Sequence, residues 1–282
     1  MPNVTLNGIP VYYEVTGKGP PLLMMAPGGF DARIQRWNSG EVWPTMRPLE
    51  SLADLCTIVA YDRREAGRSG GRIEKLTWDH YAVEARELLD HLGQQRAFVM
   101  GGCMGVSAVL AFAARCPERC IGLVLHKPAG GFRWNLRLKK RFADHLAFAR
   151  ERGMAAVVQA GKEAKAFLDD PRGGPWAWTN SWNAEFASAF AKTDLDWYVA
   201  QVEESYRAMF LSVTAPGASP EEVRAMKMPV LLLPGDDDSH GYSASQYLKE
   251  GLPNVEYWDA PVPQQVGEPL KEKLRTFLKK HL

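Results

Sequence analysis

The residues with the clearest chemical potential lie in the segment Gly-Gly-Cys-Met-Gly at positions 101–105. The apolar residues 97–100 precede it, and a helix-forming run at 106–115 follows. This order is typical of a sharp strand-to-helix turn that exposes a nucleophile, because glycines let the strand and the helix pass closely. A thiol at a helix N-terminus is favoured as the thiolate, its reactive form. The segment therefore predicts covalent chemistry at Cys103.

The other cysteines, Cys56, Cys116 and Cys120, have a spacing that indicates no further chemistry. The pair at 116 and 120 is not a C-x-x-C motif, and no second ligand pair accompanies it. We therefore expect structural thiols, with neither a disulfide framework nor a metal site. Because the chain also lacks a Walker sequence and a Rossmann G-x-G-x-x-G, we expect no cofactor.

The elements around Cys103 alternate between short apolar runs and helical patterns. Helices are predicted at 49–55, at 77–92 with Thr77 as cap, at 243–248 and at 268–282, and a hairpin at 4–6 and 11–15. Continuously apolar runs of this length are typical of strands buried on both faces. The alternation predicts an α/β fold with a mostly parallel sheet. Its strands are expected at 22–26, 57–61, 97–100, 121–125, 230–233 and 255–258.

Residues 132–226 interrupt this alternation, because strand-like runs are absent there and helical segments rich in tryptophan replace them. Insertions of this size often form lids over active sites. We therefore predict an α/β core made of residues 1–131 and 227–282, with a helical lid at 132–226.

Composition indicates the class of partner. The chain has 282 residues, of which 24% are charged, and a net charge of +1 at pH 7. This balance gives no reason to expect nucleic acid or a membrane surface as partner, so a small-molecule substrate is expected. No signal-peptide pattern follows the first residues and no apolar run approaches a membrane span, which favours a cytoplasmic protein. The oligomeric state stays open.

With two further motifs, the chain resembles the α/β-hydrolase fold superfamily over nearly its whole length. Tyr-Asp-Arg-Arg-Glu-Ala-Gly-Arg-Ser at 61–69 is similar to the family's turn after the fourth strand. Pro-Gly-Asp-Asp-Asp-Ser-His at 234–240 is similar to the loop that supplies the catalytic acid. The layout is similar to the lid-bearing esterase and C–C hydrolase branch. In having a cysteine in place of the usual serine, the chain resembles dienelactone-hydrolase-type enzymes.

The resemblance implies an oxyanion hole and an acid. One oxyanion donor is the backbone N–H after the nucleophile, that of Met104, and the other comes from the loop after strand 22–26. Pro27 has no N–H, so Gly29 or Phe30 is expected as the second donor. The acid is expected at Asp238, three residues after Gly235, with Asp236 and Asp237 as alternatives.

The base is where the chain departs from the family pattern. Family members carry a histidine just after the last strand, but residues 258–265 contain none. His240 ends the predicted acid loop and His126 follows the strand at 121–125, so both are expected at the sheet edge where ligands bind. We predict His240 as the base, with His126 as the alternative.

Together these features favour a hydrolase that cleaves an ester, lactone or thioester through Cys103. A thiolate needs less help from a base than a serine hydroxyl does. Tryptophans near the oxyanion loop, Trp37 and Trp43, favour an apolar or aromatic substrate, and Arg33 and Arg36 are candidates for contact with a substrate carboxylate. The alternative is a non-hydrolytic relative with an incomplete triad, acting as a lyase, cyclase, isomerase or ligand-binding protein.

Overall fold

The computed structural model of the chain describes residues 3–40, 42–211 and 214–282; Met1, Pro2, Glu41, Ser212 and Val213 lie outside the described residues. Its centre is an eight-stranded sheet in the order β1-β2-β4-β3-β5-β6-β7-β8. β2 pairs antiparallel with β1 and with β4, and every other pairing is parallel. The strands are β1 (Asn3–Leu6), β2 (Ile9–Gly17), β3 (Pro21–Met25), β4 (Thr57–Tyr61), β5 (Ala97–Gly102), β6 (Cys120–His126), β7 (Val230–Leu233) and β8 (Val255–Tyr257).

The predicted α/β fold is confirmed, since the six apolar runs form the parallel strands β3 to β8. β5 extends two residues beyond the predicted run, because Gly101 and Gly102 continue to pair with Leu125 and His126 of β6. The side chains of β5 are buried throughout. The carboxyl ends of these strands therefore lie along one edge of the sheet, which is where ligands bind in open α/β folds.

Helices cover both faces of the sheet. Thr77 and His80 form the capping box that begins α3, while the predicted helix at 49–55 is shorter than expected. The helix ends early because the amides of Leu55 and Cys56 both donate to the carbonyl of Leu52. This turn leads the chain into β4. The helices are α1 (Trp43–Met46), α2 (Pro48–Ser51), α3 (Trp78–His91), α4 (Gly105–Arg115), α5 (Phe132–Ala164), α6 (Ala177–Trp182), α7 (Ala184–Ala191), α8 (Leu195–Phe210), α9 (Pro220–Ala225), α10 (Tyr242–Gly251) and α11 (Gly267–Lys280).

Between β6 and β7, the described residues form helices and loops and no strand. The long helix α5 is bent at Gly153, whose φ of +75° is not helical. Phe30, in the loop after β3, packs edge to face against Phe142, Phe167 and Phe210, with ring centroids 5.5–6.3 Å apart. This aromatic cluster fixes the helical segment onto the core. Within the described ranges, no helix combines the length and the apolar character needed to span a membrane.

Candidate active site

Cys103 lies in the tight turn between β5 and α4, as the sequence predicts. Its φ of +54° falls in the left-handed region, which a residue with a side chain rarely adopts. The Cys103 amide donates to the carbonyl of His126 at 3.1 Å, and the Cys103 carbonyl accepts from Val106 at 3.1 Å. A Cβ atom on Gly105 would collide with the carbonyl oxygen of Met25, so only glycine permits this approach of α4 to β3. The turn holds a strained cysteine at the carboxyl end of the sheet.

His240 and Asp237 meet in the loop after β7. The Nδ1 atom of His240 lies 2.8 Å from each carboxylate oxygen of Asp237. The same carboxylate accepts the backbone amides of Ser239 at 2.8 Å and His240 at 3.0 Å, so the loop itself builds the pair. Nε2 of His240 is buried and has no well-aligned hydrogen bond with any described residue. However, the ring and the Cys103 thiol are near enough to shift each other's pKa.

These contacts control the charges of the three side chains. Burial alone would raise the pKa of the Cys103 thiol, but the His240 imidazole and the backbone N–H groups of Met104 and Gly28 outweigh burial and lower it. Burial also opposes charge on His240, yet Asp237 and the Cys103 sulfur raise the pKa of its imidazole to about 9. The hydrogen bond with His240 lowers the pKa of the Asp237 carboxyl. The site therefore favours a thiolate beside an imidazolium.

The acid expected at Asp238 is not the carboxylate that contacts His240. Asp238 is exposed and forms ion pairs with Arg133 at 2.9 Å and Arg137 at 3.8 Å, both on α5. Asp237 takes the position beside His240 because its carboxylate closes the backbone turn that follows it. The expectation for Asp238 is therefore corrected to its neighbour.

The backbone donors near the sulfur belong to Met104 and Gly28. Met104 is one of the expected oxyanion donors, and Gly28 directly precedes the other two, Gly29 and Phe30. Gly28 has a φ of +103°, a conformation suited to glycine. The carbonyl of Gly29 accepts from the Arg63 guanidinium, and the Phe30 side chain is buried in the aromatic cluster. Gly28 is therefore a further candidate for the second donor.

A cavity of about 350 Å³ opens onto Cys103 and His240. Its walls combine an indole and other apolar groups with cationic and anionic side chains from the core and from the helical segment. Such a mixed lining suits a small substrate with both apolar and polar parts. The lining includes Gly28, Arg36, Trp43, His126, Lys127 and Asp169.

Of the four side chains predicted near the substrate, Arg33 and Trp37 lie outside this cavity. The guanidinium of Arg33 stacks on the Trp178 ring at 3.8 Å, which ties the core to the helical segment. Trp37 is fully buried and packs edge to face against Trp43, with ring centroids 4.7 Å apart. Arg36 and Trp43, which were predicted with them, line the cavity. The sequence therefore indicated the correct loop, and two of the four side chains face inward.

His126 occupies the cavity wall at the end of β6, between Gly102 of β5 and Leu233 of β7 in register. Its ring packs edge to face against Trp43 at a centroid distance of 4.5 Å. Burial, followed by the charges of Lys127 and His240, lowers the pKa of His126 to about 3. A neutral imidazole this weakly basic is poorly suited to be the general base, which favours His240 for that role.

Sequence reasoning gave no role to Lys127, whose Nζ lies 3.3 Å from the Asp237 carboxylate. This contact joins a residue at the end of β6 to the loop after β7. A sequence signal for Asp237 did exist: it precedes His240 by three residues, the spacing of a turn closed by an aspartate side chain. Nothing comparable distinguishes Lys127 from other surface lysines.

Comparison with known proteins supports this architecture. Residues 21–164 match the model of the α/β-hydrolase fold family, which is half of the chain. The chain therefore belongs to the α/β-hydrolase fold family. It is also similar to several curated proteins.

Several of those relatives are identified proteins. The bifunctional esterase/perhydrolase DCH of Acinetobacter calcoaceticus is 22% identical in a gapped alignment of 288 positions that covers 98% of both chains. RutD of Azorhizobium caulinodans, provisionally named a carbamate hydrolase, is 26% identical over 250 residues, which cover 87% of this chain and 84% of that protein. The chain spans between 31% and 56% of the length of four other curated relatives.

Solved structures share the fold over the whole chain. The enol-lactonase of Burkholderia xenovorans has a TM-score of 0.59 at 19% identity, covering 99% of this chain and 97% of its own. An α/β hydrolase from a deep-sea metagenome library has a TM-score of 0.62 at 18% identity, covering 100% of this chain and 96% of its own. At this level of identity, the likeness concerns the fold alone.

Proposed function

We propose that this protein is a cysteine hydrolase in which Cys103 is the nucleophile and His240 is the general acid and base. Asp237 orients His240 and stabilises its positive charge. The observation that carries this proposal is the contact of the His240 Nδ1 with Asp237 at 2.8 Å, in a histidine that lines the same cavity as Cys103. A thiolate held beside an imidazolium is the form of cysteine that attacks carbonyl carbon.

The chemistry follows from this charge distribution. The Cys103 sulfur forms a bond to the substrate carbonyl carbon, and the carbonyl electron pair moves onto oxygen. As the tetrahedral intermediate collapses, the leaving group takes the proton from Nε2 of His240 and a thioester remains on Cys103. His240, now neutral, accepts a proton from water, whose oxygen attacks the thioester and returns the thiolate.

Two backbone amides are positioned for the negative oxygen. The N–H groups of Met104 and Gly28 act on the Cys103 sulfur, and an oxygen bonded to the attacked carbon would lie within their reach. Each well-aimed donor of this kind contributes on the order of 3 kcal/mol to the transition state. In our proposal Met104 keeps its expected role, and Gly28 takes the place expected for Gly29 or Phe30.

The substrate is proposed to be a small ester, lactone or thioester. A cavity of about 350 Å³ lies at the small end of ligand sites. Trp43 supports the expected apolar or aromatic group, while Arg36 and Lys127 offer cationic contacts to its polar end. Residues 132–226 are proposed as a lid over the core of 1–131 and 227–282, because Asp169 from this segment contributes to the cavity wall.

Hydrolysis of activated esters by the purified protein tests this proposal. With p-nitrophenyl acetate and an aryl thioester, Cys103→Ala should lose at least about a thousandfold in kcat/KM, and Cys103→Ser should retain weak turnover. Cys116→Ala is the matched control, because this thiol is buried outside the cavity and burial raises its pKa. A fully active Cys103→Ala protein would overturn the covalent mechanism. A folded wild-type protein that forms no acyl-enzyme would favour a non-hydrolytic relative.

A further inference from the structure

His126 has a polar edge that the proposed triad does not use. Its side chain is buried, at 1% exposure, and it lines the cavity that holds Cys103 and His240. Neither ring nitrogen forms a well-aligned hydrogen bond with a described residue, although the Gln265 side chain lies near enough to act against burial and raise the pKa of His126. Because buried polar groups without partners are costly, this imidazole is suited to a molecule bound inside the cavity.

The surroundings of His126 hold its ring in place. Trp43 contacts the ring edge to face, at 4.5 Å between centroids. The His126 carbonyl accepts the Cys103 amide at 3.1 Å, so the backbone of His126 is fixed to the nucleophile turn. His126 and His240 line the same cavity, and the charge of His240 also lowers the pKa of His126. The cavity therefore contains two histidines of different basicity, since the pKa of His240 is raised and that of His126 is lowered.

We propose that His126 positions the water that hydrolyses the acyl-enzyme. This inference rests on the proposed function, since it concerns the second half of that reaction. A water that attacks a thioester must present its oxygen to the carbonyl carbon, and two hydrogen-bond acceptors fix its orientation. His240 supplies one acceptor at Nε2, and the unprotonated nitrogen of His126 supplies the other.

His240 and His126 have different roles in this step because the basicities of their rings differ. One O–H bond of water breaks and its proton moves to Nε2 of His240, while the oxygen forms a bond to the acyl carbon. The carbon–sulfur bond then breaks, and its electron pair returns to Cys103 as thiolate. His126 accepts the second hydrogen of water as a hydrogen bond only, because an imidazole of very low pKa does not take the proton.

Rapid-mixing kinetics with p-nitrophenyl acetate separate the two half-reactions. In His126→Phe, which keeps an aromatic ring against Trp43, the acylation burst should stay within about threefold of wild type while deacylation slows about tenfold or more. His126→Gln keeps a hydrogen-bond acceptor, so its deacylation rate should lie between those of the wild type and His126→Phe. Hydroxylamine, which does not need a positioned water, should discharge the acyl-enzymes of wild type and His126→Phe at similar rates.

The outcomes distinguish this inference from its foundation. Equal slowing of acylation and deacylation in His126→Phe, or unchanged deacylation, would overturn the water-positioning role. If hydroxylamine discharge in His126→Phe slowed as much as hydrolysis does, the water-positioning role would also be overturned, because the substitution would then have distorted the site in general. If thermal unfolding shows that phenylalanine does not fit, His126→Leu provides the non-polar variant. Absence of any burst in the wild type would contradict the proposed function itself.

Discussion

His240 contacts Asp237, three residues earlier in the same loop, through an Nδ1 that lies 2.8 Å from both carboxylate oxygens. The loop after β7 thus carries a histidine and its acidic partner together. The segment that begins at residue 258, where the family places its histidine, instead contributes the buried Gln265. In the proposed mechanism, one loop and the nucleophile turn supply the triad, so no histidine is needed after the last strand.

The choice of acid gives the first prediction. Asp237→Asn should lower kcat/KM by about a hundred- to ten-thousandfold, because the imidazolium loses its charge partner and its orientation. Asp238→Asn is the matched control: it removes an exposed ion pair with Arg133 and should change kcat/KM by no more than about threefold. Steady-state kinetics with an activated ester decide between them. The reverse ranking would return the acid role to Asp238.

The pH profile of kcat/KM is the second prediction. The pKa of His240 is raised to about 9, so the imidazolium that protonates the leaving group persists up to that pH. Activity should therefore fall on an alkaline limb near 9, and this limb should move to lower pH in Asp237→Asn, since that carboxylate raises the pKa. An alkaline limb that does not respond to the substitution would show that another group controls it.

The nucleophile turn supports a third prediction. Gly105→Ala should destabilise the protein by about 1–3 kcal/mol and impair turnover, because the added methyl group meets the carbonyl of Met25 beneath the turn. Gly93→Ala is a suitable control: its φ of +66° also disfavours alanine, but nothing lies within 4 Å of the added atom. Urea unfolding and ester hydrolysis measure both effects. If Gly93→Ala impaired turnover as much as Gly105→Ala, the effect would not be specific to the turn.

The buried carboxyl of Glu65 gives the fourth prediction. Glu65 accepts from the Tyr81 hydroxyl at 2.6 Å, and burial raises the pKa of its carboxyl to about 8 despite the nearby Arg63. A raised folded-state pKa contributes stability below the unfolded value of 4.5, and this contribution is lost as the pH rises through about 8. Glu65→Gln should therefore make the free energy of unfolding less dependent on pH across this window. Parallel pH curves for both proteins would contradict the assignment.

The fold was predictable because its signals are local. Strands such as β4 and β7 are continuous apolar runs, and their bounds match the sequence prediction. The turn at Cys103 was also predictable, since a strand, flanking glycines and a helix occur in direct succession. These features depend on a few neighbouring residues, so a single sequence contains them.

The details of the site depend on backbone turns that sequence spacing does not fix. Which of three adjacent aspartates faces His240 is decided by amides that fold back onto Asp237. The amide that acts on the sulfur from the loop after β3 is that of Gly28, and sequence spacing did not distinguish it from Gly29. Of the two arginines predicted near the substrate, Arg36 lines the cavity, whereas Arg33 stacks on Trp178 from the distant helical segment.

The most direct test of the central claim is a titration of the Cys103 thiol by its rate of alkylation with iodoacetamide across pH. The wild type should titrate below the ordinary thiol value of about 8.5, and His240→Ala should shift the titration upward. Labelling should be confined to Cys103, because burial raises the pKa of Cys56, Cys116 and Cys120. A Cys103 that titrates at or above the ordinary value, with no response to His240→Ala, would contradict the thiolate–imidazolium pair.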